Sequence, residues 1–188
     1  MSSIYDHVHT FDIPENILEA VQQDMDSDEH SWQRHQWTQK QSDGSLKIHS
    51  RDNGEELFVK ASNTNTSFLV TNYCLSKANE IYKFLSLEHT NFIRYNEYRK
   101  GTNMSPHWDR IHSIFDGKRK GVPVLSIVGV TKRAEEGGNF MFIDKNKTET
   151  EFLTKENTFI VFPSTFLYLH KVTNVTKGYR RSFAAWAY

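Results

Sequence analysis

His107 and Asp109, in the segment "SPHWDR", are two metal-binding residue types separated by one tryptophan. Side chains of a β-strand alternate between its two faces, so both would point to the same side of a strand. This spacing is common by chance, however, and it also fits a polar patch on an ordinary strand. A metal site is indicated only if the chain supplies a third ligand and a reason for the metal to be present.

His170, in the segment "FLYLHKVTNVT", is the candidate third ligand. Two imidazoles and one carboxylate on one face of an octahedral metal leave the other positions open, and this ligand set is diagnostic of non-haem Fe(II) oxygenases. Thiolate ligands would favour zinc instead, but the chain has one cysteine. The residue types therefore favour Fe(II) over zinc.

A basic residue and a hydroxyl follow the third candidate ligand. Arg180 comes ten residues after His170 in "KGYRRSFAAWAY", and Ser182 lies two positions further on, so both occupy one face of a strand. A guanidinium binds a carboxylate through two parallel hydrogen bonds. The pair is suited to the far carboxylate of a small dicarboxylate that fills the open metal positions.

The C-terminal half of the sequence resembles a known family. The segments "YRKGTNMSPHWD", "EEGGNFMF", "FIVFPS" and "LHKVTNVTKGYRRSFAAW" follow the order found in the Fe(II)/2-oxoglutarate-dependent dioxygenases, and in particular in their prolyl 4-hydroxylase-like branch. The resemblance extends from about Phe92 to Tyr188. Each segment alone is a weak signal, whereas all of them in order are a strong one.

The resemblance implies roles for two groups of residues. The Fe(II) ligands would be His107, Asp109 and His170. The residues that bind 2-oxoglutarate would be Arg180, Ser182 and Tyr98. Molecular oxygen would be the second co-substrate, with ascorbate as a candidate reductant.

The implied reaction is hydroxylation of a substrate C–H bond, coupled to conversion of 2-oxoglutarate into succinate and CO2. Peptidyl proline is the substrate that the resemblance favours, and a protein or peptide is favoured over a small molecule. One alternative is an oxygenase that acts on a free amino acid, another small molecule or an alkylated nucleic-acid base. The other is a non-catalytic jelly-roll binding module.

The strand after the ligand segment departs from the family pattern. Many relatives carry an aromatic hydroxyl on it, whereas this chain reads "VLSIVGV", with Gly129 near that place. The departure predicts that one contact to the co-substrate is missing or is made by Ser126.

Residues 110–121 form a candidate lid, because they follow the ligand segment directly and are rich in basic residues. The candidate substrate-contacting residues are Arg110, Lys118, Arg119 and Lys120. Loops at the mouth of a barrel commonly carry specificity. A solvated turn is the alternative interpretation of this segment.

The elements that would position these residues are mainly short strands. Residues 14–25 and 75–87 have apolar side chains at helical spacing, and "EELFVKA" is strand-like. From residue 90 onward the chain reads as short strands separated by turns, which is typical of a sandwich or barrel.

The predicted fold class is mainly β with supporting helices (α+β). The resemblance makes it a double-stranded β-helix, or jelly-roll barrel, with the N-terminal helices packed on one sheet. Residues 1–188 would form a single domain, with 1–89 as helical or irregular support and 90–188 as the jelly-roll core.

Composition narrows the expected partners. Lysine plus arginine and aspartate plus glutamate number 23 each in the 188 residues, so no overall charge attracts nucleic acid or an anionic membrane. No signal-peptide pattern and no membrane-spanning apolar run is present, which predicts a cytoplasmic protein. A nucleic-acid partner is disfavoured, and the oligomeric state is left open.

Overall fold

Short strands are the main secondary-structure elements of the computed structural model, which describes residues 4–50, 57–85, 87, 90–109 and 123–188. In chain order the strands are β1 (His9–Asp12), β2 (Gln33–Arg34), β3 (Gln36–Lys40), β4 (Leu46–Ser50), β5 (Leu57–Ala61), β6 (Arg94–Tyr98), β7 (Met104–His107), β8 (Leu125–Lys132), β9 (Glu136–Gly137), β10 (Phe140–Ile143), β11 (Glu149–Phe152), β12 (Thr158–Pro163), β13 (His170–Val172), β14 (Val175–Lys177) and β15 (Arg180–Ala187). The helices are α1 (Glu15–Asp26) and α2 (Thr64–Ile81), with a short 3-10 helix at Ile4–His7.

The strands form two principal antiparallel sheets. Among the described residues, the larger sheet has the order β1-β12-β8-β15-β6-β5-β2, and the smaller has the order β11-β10-β13-β7. Neighbouring strands are often far apart in sequence, as expected for a jelly roll rather than a meander. The predicted fold class, mainly β with supporting helices, is confirmed.

Strand β12 shows how the larger sheet separates two apolar cores. Phe159 and Val161 belong to the cluster that includes the helices, whereas Ile160 and Phe162 pack with the smaller sheet. All four side chains are fully buried. Because both faces of the strand are covered, its sequence is a continuous apolar run instead of an alternating pattern.

The first helix lies where its apolar spacing predicts. Pro14 precedes Glu15, the first residue of α1, which suits a residue that lacks an N–H and has a fixed φ. Ile17, Val21 and Met25 form its buried face. Neither described helix is long and apolar enough to cross a membrane.

The second helix was predicted wrongly at both ends. It begins at Thr64 rather than residue 75, and it ends at Ile81 rather than residue 87. Its first half is rich in threonine and has no apolar stripe, because Ser67 and Thr71 supply part of the buried face. Ser67 accepts a hydrogen bond from the backbone N–H of Ile93, and this polar contact replaces the apolar packing that periodicity detects.

A buried lysine joins α1 to the larger sheet. Lys60 on β5 is 1% exposed, and its Nζ donates to the carbonyls of Asp24 at 2.6 Å, Met25 at 3.1 Å and Ser27 at 2.6 Å. The last carbonyls of a helix have no partner within the helix, and a cation there is favoured by the helix dipole. Lys60 therefore fixes the end of α1 against the sheet that carries the site.

The N-terminal half contributes strands as well as support. Strand β1 pairs with β12 along the edge of the larger sheet, and β5 pairs with β6. The "EELFVKA" prediction is confirmed by β5, whereas β1 was not predicted because its four residues, "HTFD", have too short a pattern.

Candidate active site

Three candidate metal ligands converge at one end of the smaller sheet. His107 at the end of β7 is paired directly with His170 at the start of β13. Asp109 follows β7, and its Oδ1 lies 3.8 Å from the Nε2 atom of each histidine. The three potential ligand atoms all lie within 4.8 Å of one another. Antiparallel pairing thus brings together residues that are distant in sequence.

Backbone hydrogen bonds orient both imidazoles. The Nδ1 atom of His107 lies 2.8 Å from the carbonyl of Ser105, and Nδ1 of His170 lies 2.9 Å from the carbonyl of Tyr168. A carbonyl only accepts, so each Nδ1 carries the proton and each Nε2 offers its lone pair. This arrangement is typical of metal-binding histidines, in which a hydrogen bond on one nitrogen fixes the other toward the metal.

Charge and burial at Asp109 fit a cation. The carboxylate residue is 6% exposed, and no lysine or arginine of the described residues forms an ion pair with it. Burial acts to raise the pKa of Asp109, but His170 and His107 oppose it and the pKa lies below its usual value. A buried ionised carboxylate needs a positive partner, and Fe(II) suits a site with two imidazoles and one carboxylate.

Aromatic side chains close the site on its inner side. The ring of Phe140 is stacked on His170 with centroids 5.2 Å apart, and Phe162 contacts the same imidazole edge-on at 5.3 Å.

Burial, followed by the neighbouring His170, lowers the pKa of His107 to about 4. Burial and the neighbouring His170 therefore keep His107 uncharged near neutral pH, and the uncharged imidazole is the form that binds a metal.

A buried guanidinium lies in the wall of the same pocket. Arg180 is 2% exposed and is paired directly with Tyr98 across β15 and β6, with its Cζ 5.5 Å from the tyrosine ring. Burial lowers the pKa of Arg180 to about 10, so it stays charged at neutral pH. Its Nη1 atom is buried without a hydrogen-bond partner among the described residues. An anionic ligand such as a carboxylate would satisfy this group.

The turn that contains Gly137 and Gly138, in the segment "EEGGNFMF", packs against Arg180. Gly137 has φ +74°, and a Cβ there would lie 2.0 Å from the carbonyl oxygen of Asn174, so only glycine allows β9 to approach β14. A Cβ at Gly138 would lie 3.4 Å from the Cδ of Arg180. The turn therefore packs against the stem of the arginine that reaches into the pocket.

Alternation along β6 and β15 sets the rest of the pocket wall. Arg180 and Ser182 were predicted to share one face of β15, and both line the pocket together with Trp186. The complete lining is Arg94, Asn96, Tyr98, Met104, His107, Asp109, Val128, Phe140, His170, Val172, Arg180, Ser182, Ala184 and Trp186. The candidate metal ligands and the candidate 2-oxoglutarate-binding residues thus share one pocket.

Sequence reasoning missed Arg94 and Asn96. Both lie on β6 at even spacing from Tyr98, and all three line the pocket. The signal was present, because a strand that directs Tyr98 inward also directs residues two and four positions earlier inward. An arginine near the start of a strand resembles an ordinary surface residue unless the facing direction is already known.

The departure at Gly129 has a packing explanation. Gly129 is not in the pocket lining, and a Cβ there would lie 2.2 Å from the ring of Phe183, which belongs to the helix-side core. Val128 occupies the pocket wall instead. Ser126 is also absent from the lining, and its hydroxyl lies 2.7 Å from that of Ser164. A hydrogen bond from Ser126 also helps to lower the pKa of Asp109, so the expected contact of Ser126 with the co-substrate stays a prediction.

The candidate lid lies outside the described residues. This applies to Arg110, Lys118, Arg119 and Lys120, so the lid remains a prediction from the sequence.

Comparison with known families agrees with the site. Residues 91–188 match the model of the 2OG-Fe(II) oxygenase superfamily. The match covers just over half of the chain, and the chain belongs to this superfamily. It is accordingly an oxidoreductase of the class that uses Fe(II), 2-oxoglutarate and O2. No curated protein sequence matches the chain.

Solved structures show the same fold at low sequence identity. A prolyl-4-hydroxylase of Pseudomonas putida is 15% identical with a TM-score of 0.64, and the match covers 96% of this chain and 91% of that one. The viral collagen prolyl hydroxylase of Paramecium Bursaria Chlorella virus-1 is 13% identical with a TM-score of 0.60, covering 96% and 94%. A Trichoplax adhaerens prolyl hydroxylase, in complex with a hypoxia inducible factor peptide fragment, is 11% identical with a TM-score of 0.63, covering 97% and 83%.

Proposed function

We propose that this oxygenase hydroxylates a proline residue of a peptide. The observation that carries the proposal is one pocket that holds both the histidine–aspartate–histidine group and the unpaired guanidinium of Arg180. The peptide part of the proposal is supported by the similarity of the fold to prolyl hydroxylases, one of which is in complex with a peptide fragment. Because one fold hosts many activities, the peptide substrate requires a direct assay.

In this proposal His107, Asp109 and His170 hold Fe(II). The hydrogen bonds of His107 and His170 to backbone carbonyls direct the Nε2 atom of each ring toward the Asp109 carboxylate. The ligand atoms are therefore oriented before the metal binds. When bound, Fe(II) supplies the activation of O2 that drives decarboxylation of 2-oxoglutarate to succinate and hydroxylation of the C–H bond. Ascorbate is proposed as the reductant that keeps the metal in the Fe(II) state.

Arg180, Ser182 and Tyr98 are proposed to bind the far carboxylate of 2-oxoglutarate. All three side chains line the pocket and are at most 4% exposed, which excludes water and strengthens the pairing of charges. The fork of Arg180 gives the carboxylate one orientation. The opposite end of the co-substrate is thereby directed toward the metal ligands.

We also propose that residues 1–188 act as one domain. Residues 1–89 would support the jelly-roll core of residues 90–188. The pairing of β1 with β12 and of β5 with β6 joins the two parts within one sheet, and α1 and α2 share a core with that sheet.

The test is release of succinate from 2-oxoglutarate in the presence of Fe(II) and ascorbate. The substrates are proline-containing peptides, free amino acids and methylated oligonucleotides, with the Arg180→Met variant as the inactive control. The proposal expects stimulation by peptides and a mass increase of one oxygen on proline. Stimulation by oligonucleotides or by amino acids other than proline, with none by prolyl compounds, would overturn it.

A further inference from the structure

Arg94 places a second cation in the pocket wall, far from Arg180. It lies on the same face of β6 as Tyr98 and is paired with Ala184, four residues along β15 from Arg180. A strand rises about 3.3 Å per residue, so about 13 Å of backbone separates the two arginines. Arg94 thus belongs to the end of the pocket near Trp186, whose ring it contacts, and near Asp109, whose charge acts on it.

Arg94 is partly buried and forms no ion pair with a described residue, although the charge of Asp109 lies near enough to act on it. Its Nε is buried without a hydrogen-bond partner among the described residues, and its Cζ lies 5.5 Å from the centroid of the Trp186 ring. Asn96, beside it on the strand, is 3% exposed and its Oδ1 is also unpaired among the described residues. Buried polar groups without partners are rare in proteins, and a cation is the most costly kind.

Charge balance identifies the kind of ligand that this end of the pocket fits. Two arginines and one carboxylate line the pocket, so the protein contributes an excess of one positive charge when its histidines are neutral. Fe(II) and 2-oxoglutarate carry opposite charges of equal size and leave that excess unchanged. One more negative group is therefore favoured when both are bound.

The co-substrate does not account for this negative group in the proposed arrangement. Its far carboxylate is bound by Arg180, and its other end is bound by the metal. The anion that remains available to Arg94 belongs to the second substrate, whose oxidised carbon must also lie close to the metal.

We propose that Arg94, with Asn96 beside it, binds a carboxylate of the substrate that is hydroxylated. The inference rests on the proposed function and restricts its substrate to molecules with a carboxylate near the oxidised carbon. A guanidinium pairs with a carboxylate through two parallel hydrogen bonds, and the free Oδ1 of Asn96 accepts from a neighbouring N–H. The carboxylate is supplied by a C-terminal proline or by an acidic residue next to proline, and free proline is the non-peptide source that the test distinguishes from these two.

Binding to matched pairs of ligands tests the inference. The protein is loaded with Mn(II) in place of Fe(II) and with saturating 2-oxoglutarate, and affinities are measured by calorimetry. The first pair is N-acetyl-L-proline and its amide, and the second is acetyl-Ala-Pro-Asp-amide and acetyl-Ala-Pro-Asn-amide. The remaining pairs are the free amino acids, L-proline among them, and their amides. Together the pairs separate the three sources of the carboxylate from one another and from a substrate without proline.

The wild-type protein should bind the carboxylate member of at least one pair about tenfold more tightly or better. Arg94→Met should abolish this preference, and Arg94→Lys should retain part of it. The dissociation constant of 2-oxoglutarate should change little in both variants. Arg99→Met is the matched control, because Arg99 follows Tyr98 but is exposed and lies outside the pocket lining, and it should keep the full preference.

Three results would overturn the inference. One is an absence of preference for the carboxylate in every pair, and another is a preference that survives in Arg94→Met. The third is weaker binding of 2-oxoglutarate to Arg94→Met without any change toward the second ligand. If prolyl amides bind as well as prolyl acids, the proposed prolyl function stands and the role of Arg94 fails. If only a non-prolyl acid binds and Arg94→Met loses it, the role of Arg94 stands and the prolyl function fails.

Discussion

His107 and His170 face each other across β7 and β13 with ring centroids 4.3 Å apart, and each ring is hydrogen-bonded to the carbonyl of the residue two positions earlier. The two histidines therefore have the same local geometry on antiparallel strands. Each imidazole is held by a hydrogen bond to a backbone carbonyl, so its Nε2 is directed toward Asp109. The position of that carbonyl does not depend on the rotamer of another side chain. If these residues hold Fe(II) as proposed, the imidazoles are oriented before the metal binds.

Replacing Asp109 by Asn should remove stabilisation by metal while leaving the protein folded. A metal that binds only the native state raises the melting temperature, and the carboxamide lacks the charge that attracts it. Without metal, Asp109→Asn should be somewhat less stable than the wild type near neutral pH, because a pKa below its usual value means that the folded state favours the ionised carboxylate. Calorimetric melting curves with and without Mn(II) measure both effects. The exposed Asp28→Asn is the control, and an equal Mn(II) shift in wild type and Asp109→Asn would contradict the prediction.

Replacing Arg180 by Met should weaken 2-oxoglutarate binding with little effect on binding of the metal. Leaving a buried charge without its partner costs about 3–5 kcal/mol, which corresponds to a loss of affinity of about a hundredfold or more. Arg180→Lys should be milder, because the charge remains although the fork is lost. Titration of the Mn(II)-loaded protein with 2-oxoglutarate measures the change.

The neighbouring Arg181 provides the matched control for this prediction. It projects from the opposite face of β15, with its Nε 2.9 Å from Glu97 and its Nη1 2.6 Å from Asp26. Arg181→Met should leave 2-oxoglutarate binding unchanged. Equal affinities for wild type and Arg180→Met would exclude the co-substrate role of Arg180.

Replacing Lys60 by Met should destabilise the fold strongly. Methionine keeps the apolar stem, but the carbonyls of Asp24, Met25 and Ser27 lose a buried donor. Each unsatisfied buried group costs about 1–3 kcal/mol, so a decrease of about 3 kcal/mol in the free energy of unfolding is expected. Urea denaturation followed by circular dichroism measures it. Lys77→Met, which removes an exposed pair with Glu80, should change stability little, and a similarly small effect at Lys60 would refute the structural role.

The single cysteine should be inert in the folded protein. Cys74 is 2% exposed on α2, and burial raises the pKa of its thiol well above the usual value. Only the thiolate attacks thiol reagents, so an increase from pH 7 to pH 9 should not accelerate the reaction of the native protein. Ellman's reagent should detect the thiol only after addition of denaturant. Rapid reaction of the native protein that increases with pH would show that the thiol is accessible.

The sequence predicted the parts of the site that depend on spacing within a strand. Arg180 and Ser182 share a face because side chains alternate, and the same rule places Phe183 on the opposite face. The convergence of His107 with His170 could not follow from spacing, since it depends on which strands pair. It was anticipated only through the resemblance to a family.

Two failures of prediction have a common physical cause. The start of α2 was missed because Ser67 and Thr71 are buried through hydrogen bonds, and Arg94 was missed because a cation in a strand resembles a surface residue. Patterns of apolar residues detect burial by the hydrophobic effect and not burial by polar contacts. Polar burial becomes visible only when the partners, or their absence, are known.

Strand β15 separates two properties that evolution or protein engineering can modify independently. Arg180, Ser182, Ala184 and Trp186 face the pocket, whereas Phe183, Ala185 and Ala187 face the helices. Under the proposed function, changes at the pocket-facing positions should alter ligand binding, whereas changes at the core-facing positions should alter thermal stability. A homologue adapted to a hotter environment or a different metabolite can therefore diverge at alternate positions of this strand without disturbing the other trait.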